Sequence, residues 1–253
     1  MIGFILGTSE GKKILSLINQ YTDDVVVSTA TSYGGELLKE YKTKYINIKP
    51  LDENGFKDLI NDFNITVLVD GSHPYAKEVS NTAIKVCKAM NIGYIRYERK
   101  SYFSDIEEGI IKIDKYEELE EVLKNIDGNI LNTTGSNNIS LISNLNISNR
   151  IIHRIMPYPE IIRKLLDIGV NMEDIIAIKG PFGYELNEGI IKEYNIKAII
   201  TKDSGIEGGT KEKVEAALSN NAKVIVVSRP KVNYGQTFDD VEEMIRYIKE
   251  TYF

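Results

Sequence analysis

The chain has 253 residues, 42% of them hydrophobic and 27% charged, with a formal net charge of -6. Such a composition suits one large or two modest globular domains and excludes a general nucleic-acid or anionic-membrane surface, while a local basic pocket for a small polyanion stays open. A single cysteine, Cys87, excludes an internal disulfide; its place on the apolar face of a helix reads as a packed thiol rather than a nucleophile.

Apolar runs suited to buried strands alternate with amphipathic segments along nearly the whole length, the pattern of parallel sheets with crossover helices. The first run, 2–6, is too short for a signal sequence or a membrane span, and no later stretch approaches spanning length, so the cytoplasm is the expected compartment. Further strands are expected over 24–29, 44–48, 66–70 and 94–97, with helices beginning after Ser9, Gly34, Asp52 and Ala76. A charged and aromatic stretch, 98–108, interrupts the rhythm; strands are then expected over 110–113, 130–133, 151–155, 174–178, 198–201 and 223–227. The expected class is therefore α/β: two Rossmann-like parallel-sheet domains, 1–104 and 105–253, with a cleft between them. A closing helix with Val241, Met244, Ile245 and Ile248 on one face, capped through Thr237 and Asp240, is expected to pack back onto a sheet.

Six groups of strand-end residues carry the chemistry. Gly7-Thr8-Ser9-Glu10-Gly11 joins the first strand to the first helix, where a diphosphate would meet free backbone N–H groups and the helix dipole. The full G-x-G-x-x-G fingerprint is absent. The P-loop pattern fails as well, because Gly7 and Gly11 are a residue too close and Lys13 stands where a hydroxyl is needed. A tight turn capped by Ser9 is the plainer reading of this segment. The second strand ends Val27-Ser28-Thr29-Ala30-Thr31-Ser32, with no acidic residue where a typical NAD enzyme holds the ribose 2′-hydroxyl, which favours NADP, although the usual arginine is missing too.

Asp70-Gly71-Ser72-His73-Pro74-Tyr75-Ala76 places a carboxylate, a hydroxyl and an imidazole at the end of a buried strand and the start of a helix. The alternatives are a ligand-binding turn or a capped helix start in which Pro74 sets φ. With only two histidines and one cysteine, neither His73 nor His153 has a companion at metal-ligand spacing, and no metal is expected. In the second half, Asn132-Thr133-Thr134-Gly135-Ser136, Lys179-Gly180-Pro181-Phe182 and Thr201-Lys202-Asp203-Ser204-Gly205 each follow a strand, and parallel strands would gather them on one edge. The run Arg96-Tyr97-Glu98-Arg99-Lys100 reads most simply as a solvated strand exit, with substrate carboxylates as the other reading, and His153-Arg154 and Arg229-Pro230-Lys231 carry the same two readings. No G-x-S-x-G elbow occurs. The tyrosine–lysine pair of short-chain dehydrogenases is matched only by Tyr45 and Lys49, on a strand-like segment.

With these motifs in order, the chain resembles the precorrin-6A reductase family, in its metal-free and cobalt forms, over its full length. The resemblance rests on Gly7 to Gly11, Asp70 to Ala76, Arg96 to Arg99, Thr133-Thr134-Gly135, Gly180-Pro181-Phe182 and Thr201 to Gly205; Ser136 stands where members often carry an arginine. It implies NADPH-dependent reduction of one double bond in an anionic tetrapyrrole, yielding precorrin-6B or its cobalt form in cobalamin biosynthesis, with hydride delivered by the cofactor. It further implies cofactor contacts from Gly7, Thr8, Ser9, Glu10, Ser28, Thr29, Ser72 and His73, and substrate contacts from Pro74, Tyr75, Thr134, Gly135, Gly180, Pro181, Thr201 and Asp203. Lys202 and Ser204 would orient the reacting groups, and Asp203, His73 or solvent would deliver the proton. A nucleotide-sugar or nucleoside-diphosphate transferase with two Rossmann-like halves, and a catalytically silent nucleotide-binding regulator, are the competing readings.

Overall fold

A computed structural model describes residues 1–7, 10–104, 106, 108–205 and 208–253. In the first part of the chain the apolar runs form β1 (Ile2–Leu6), β2 (Val25–Ser28), β3 (Tyr45–Asn47), β4 (Val67–Gly71) and β5 (Gly93–Tyr97), alternating with α1 (Gly11–Ile18), α2 (Ser32–Leu38), α3 (Glu53–Phe63) and α4 (Lys77–Met90). The second series forms β6 (Ile110–Ile113), β7 (Asn129–Asn132), β8 (Ile151–Ile155), β9 (Ile175–Ala177), β10 (Ile196–Lys202) and β11 (Lys223–Val227). Its helices are α5 (Leu119–Leu123), α6 (Ile139–Ser143), α7 (Pro159–Asp167), α8 (Tyr184–Glu193) and α9 (Thr210–Ser219), and the chain closes with β12 (Thr237–Phe238) and α10 (Val241–Tyr252).

Local chemistry sets the helix ends. α2 starts at Ser32 rather than after Gly34, because Thr31 Oγ1 accepts the Gly34 N–H at 3.1 Å and caps the helix ahead of its glycines. α3 is capped in the same way by Asp52, and α10 by Asp240 alone, since Thr237 lies in β12. Among the described residues, the non-glycines with positive φ are Asn64, Asn91, Asn195 and Asn221, which follow α3, α4, α8 and α9. The short amide of asparagine tolerates the left-handed conformation that ends a helix.

Both sheets are wholly parallel. The first has the order β12-β5-β4-β1-β2-β3 and the second β6-β11-β10-β7-β8-β9. Counted from β7, the second sheet repeats the order of the first, the doubly wound Rossmann order, with its sixth place taken by a strand from the other end of the series. In each sheet the winding reverses once, between β1 and β4 and between β7 and β10, and ligands of such sheets bind beyond the carboxyl ends of those strands. Strand residues alternate between two packed faces: Phe4, Leu6, Val27 and Val69 lie against α1 and α10, and Ile5, Val26 and Leu68 against α3 and α4. Cys87 is buried in the latter layer, where burial pushes its thiol up to about 12.

The units differ from the 1–104 and 105–253 division. One comprises Met1–Lys100 with Pro230–Phe253, the other Ser101–Arg229. β12 pairs with β5 through Thr237 opposite Arg96 and Phe238 opposite Tyr97. Val241, Met244, Ile245 and Ile248 then join the core of the first sheet. A two-residue strand carries too little periodicity to be seen in sequence. Met244 has no solvent exposure, so Met244→Ala should destabilise the first unit by about 2–5 kcal/mol, read as a lowered urea midpoint.

Candidate active site

At the carboxyl end of β4, Asp70 is fully buried and each of its carboxylate oxygens is engaged. Oδ1 accepts from Arg96 Nη1 and the Ser72 backbone N–H, both at 2.9 Å, and Oδ2 accepts from Ser80 Oγ and Tyr94 Oη, both at 2.6 Å. Arg96 is equally buried; it also donates to Ser72 Oγ at 3.0 Å and through Nε to Glu98 at 2.8 Å, and its guanidinium lies 4.8 Å from the Tyr234 ring centre. Burial and the Asp70 charge push the Tyr94 hydroxyl well above the ordinary tyrosine range. The Arg96 segment is thus no solvated strand exit. Buried charges need paired, hydrogen-bonded partners, and this network supplies them.

The network fixes the turn that follows. His73 Nδ1 accepts the Tyr75 N–H at 3.2 Å, which places the proton of the neutral ring on Nε2. Ser72 and His73 line a pocket of about 500 Å³ that opens where the first sheet reverses its winding. Gly7 lines it from β1; Ser28, Thr29, Ala30, Thr31 and Gly34 line it from the β2–α2 turn. Leu51, Phe56 and Val79 give it an apolar wall, while Lys49, Glu78 and Arg99 bring charge. Among the described residues, a Cβ at Gly7 would meet only Gly71 O, at 4.0 Å, so the backbone is open to close approach from them. Glu10, at the start of α1, is 4% exposed and bonds to Arg99, itself 5% exposed, with Nη2 to Oε2 at 2.7 Å. That ion pair neutralises a carboxylate where a diphosphate would otherwise be repelled.

In the second unit the strand-end motifs are held internally. Asn132 Oδ1 accepts from the N–H and the hydroxyl of Thr134, at 3.0 and 2.8 Å, and Asn132 Nδ2 meets His153 Nδ1 at 3.0 Å. Burial pushes His153 down to about 4. Gly180–Pro181 is cis. Asp203 pairs with Arg229 at 3.0 Å and accepts the Tyr102 N–H at 3.4 Å. Thr201 Oγ1, at the carboxyl end of β10, accepts from Lys213 Nζ of α9 at 2.8 Å.

The structure thus brings Gly7, Ser28, Thr29, Ser72 and His73 to one pocket. Thr8 and Ser9 lie outside the described residues, and Glu10 does not line the pocket but pairs with Arg99, which does. Pro74 and Tyr75 do not line the pocket, although the Tyr75 ring lies 5.7 Å from that of His73. Thr134, Gly135, Gly180, Pro181, Thr201, Lys202, Asp203 and Ser204 all belong to the second unit. Sequence reasoning missed Lys49 and Thr31 as pocket residues; the absence of an acid after β2 was the available signal, but which later turn adds a cation depends on the β3–α3 connection. It also missed Lys213, buried against Thr201, and left Arg154 open between a solvated strand exit and a contact to substrate carboxylates.

A parallel sheet in the Rossmann order with a pocket at its reversal point defines a doubly wound α/β protein, the architecture in which nucleotides bind at that point. Residues 2–249 match the family model described as precorrin-6x reductase CbiJ/CobK, and the chain belongs to that family of oxidoreductases of cobalamin biosynthesis. It is 40% identical to the cobalt-precorrin-6A reductase of Methanocaldococcus jannaschii, over 94% of this chain and 92% of the relative. It is 32% identical to that of Priestia megaterium, over 97% and 96%. A solved CobK precorrin-6A reductase shares the fold, with a TM-score of 0.79 at 16% identity, over 98% of this chain and 96% of that one. No helix among the described residues is long and apolar enough to cross a membrane.

Two outcomes follow from the buried groups. Asp70→Ala strands the Arg96 charge and should destabilise the protein by about 3–5 kcal/mol in chemical denaturation. His153 ionises at about 4 when folded against an ordinary 6.5, so it contributes stability above 6.5 that is lost as pH falls toward 4. His153→Gln should flatten that part of the stability–pH curve; an unchanged slope would show that His153 does not set it.

Proposed function

We propose that the protein is an NADPH-dependent reductase that converts cobalt-precorrin-6A, or its metal-free form, to the corresponding precorrin-6B by reducing one double bond of the macrocycle in the cytoplasm. The observation that carries the cofactor reading is the lining of the first unit's pocket: hydroxyls of Ser28, Thr29 and Thr31 with Lys49 at the β2 and β3 ends, and no carboxylate among them. An NAD enzyme places an acid there for the 2′-hydroxyl; hydroxyls and a cation suit a 2′-phosphate. Leu51, Phe56 and Val79 offer the apolar wall an adenine needs, and Gly7 with Arg99 suits the diphosphate near α1.

When bound, NADPH supplies the hydride. The protein's task is to orient and to exclude water, because the conjugated macrocycle is itself the electron acceptor. Ser72 and His73 sit on the turn locked by Asp70, so they present an acceptor hydroxyl and an Nε2–H donor to whatever occupies the pocket. In the second unit, Lys202 and Ser204 are read as orienting groups. Thr134, Gly135, Gly180, Pro181, Thr201 and Asp203 are read as the frame of the macrocycle site, a reading supported by their strand-end positions in the second sheet.

NADPH oxidation should occur only when a precorrin-6A-type substrate is supplied, with NADH a much poorer donor. Lys49→Met should weaken NADPH binding roughly tenfold and leave NADH binding unchanged. Equal affinity for the two nucleotides in the wild type would overturn the 2′-phosphate assignment.

A further inference from the structure

Three cations gather at the carboxyl ends of the second sheet, where its winding reverses. Asn132 of β7 stands opposite His153 of β8 and Ile200 of β10. The next row, Thr133, Arg154 and Thr201, therefore lies across three adjacent strands on one face of the sheet. Lys213 reaches that row from α9 and donates to Thr201 Oγ1 at 2.8 Å; it is 7% exposed. Arg154 donates to Asn187 Oδ1 of α8 at 2.7 Å and lies 5.0 Å from the Phe182 ring centre. Lys202 follows Thr201 directly. Thr133, Arg154 and Lys202 are only half-buried, so the row is reached from solvent, with Lys213 behind it.

What distinguishes this cluster from the other buried charges is its partners. Asp70 meets Arg96, Glu10 meets Arg99 and Asp203 meets Arg229. Among the described residues, Arg154 and Lys213 contact no carboxylate: their partners are an amide, an aromatic face and a hydroxyl. One turn before Lys213, on the same face of α9, Thr210 Oγ1 is fully buried and has no hydrogen-bond partner among the described residues. Burial alone pushes Arg154 down to about 10, and burial together with the charges of Arg154 and Lys202 pushes Lys213 down to about 7. A fold that needed only stability would put an apolar residue at Lys213.

We infer that Arg154 and Lys213, beside Lys202, form an anion site in the second unit that takes a carboxylate side chain of the macrocyclic substrate. The inference rests on the tetrapyrrole reading above and adds the residues that hold the ring's periphery. Arg154 offers its planar fork to the carboxylate and Thr133 and Lys202 flank it. Lys213 completes the charge from below. The groups facing Lys213 are Arg154 from β8 and Lys202 from β10, both cationic, with neutral Thr201 and with Asn187 of α8 bonded to Arg154. Between about 7 and its ordinary 10.5, Lys213 is neutral in the free protein, so a bound carboxylate draws a proton onto it.

The test is binding of cobyrinic acid, a stable corrin with free carboxylate side chains, to the full chain without nicotinamide, followed by calorimetry in buffers of different ionisation enthalpy. The wild type should bind it more tightly than the amidated corrin cobyric acid and take up a proton at about pH 8 but little at about pH 6. Lys213→Met and Arg154→Gln should each weaken binding roughly tenfold or more, and Lys213→Met should abolish the proton uptake. Removing a buried lysine relieves the fold, so Lys213→Met should keep or raise Tm at neutral pH, and both variants should bind 2′,5′-ADP as the wild type does. No binding by the wild type, no preference for the acid over the amide, or unaltered affinity in both variants overturns the site. Because no nicotinamide is present, loss of the reductase reading in the NADPH assay is a separate result.

Discussion

Asp70 and Arg96 meet out of contact with solvent, at the carboxyl ends of neighbouring strands β4 and β5. A pair so placed holds only if its remaining donors and acceptors are met, because each ion has given up its water. Ser72, Ser80, Tyr94 and Glu98 meet them. The consequences run in two directions. Forward along the chain, the Ser72 N–H bond bends β4 into the turn that carries His73. Across the sheet, the Arg96 backbone N–H donates to Gln236 O at 2.9 Å, so the same residue anchors the returning C-terminal segment through β12.

The distribution of charge follows one rule. Each acidic residue of the strand-end motifs is engaged by an arginine: Asp70 by Arg96, Glu10 by Arg99 and Asp203 by Arg229. These carboxylates shape turns, and their charge is met within the fold. A chain with a net charge of -6 can in this way present cationic surfaces to polyanions, because its excess acid lies on exposed helix faces, where water screens it. Lys49 lines the first unit's pocket, and Arg154 and Lys213 lie at the carboxyl ends of the second sheet with no carboxylate partner among the described residues.

Much of this was legible in the residues. Strands β1 to β11 agree with the apolar runs to within a residue or two, since buried parallel strands need near-continuous β-branched and aliphatic residues. The pocket residues Gly7, Ser28, Thr29, Ser72 and His73 were legible because parallel topology places strand-end turns on one edge. What escaped was of another kind. Arg96 read as solvated since its partner Asp70 is 26 residues away in sequence; Lys213 drew no reading at all, since its partner Thr201 lies on β10, outside its own helix.

By itself, then, the sequence determined the class of fold, the family and the edge of each sheet where the strand-end motifs gather, because these depend on local periodicity and on short motifs whose geometry is carried within a few residues. The tertiary structure alone decided which charges are neutralised and which remain to act, and to which unit the last 24 residues belong. Those outcomes depend on desolvation and on pairing between distant segments. A residue's burial is a property of everything packed around it, and no window of sequence contains that information.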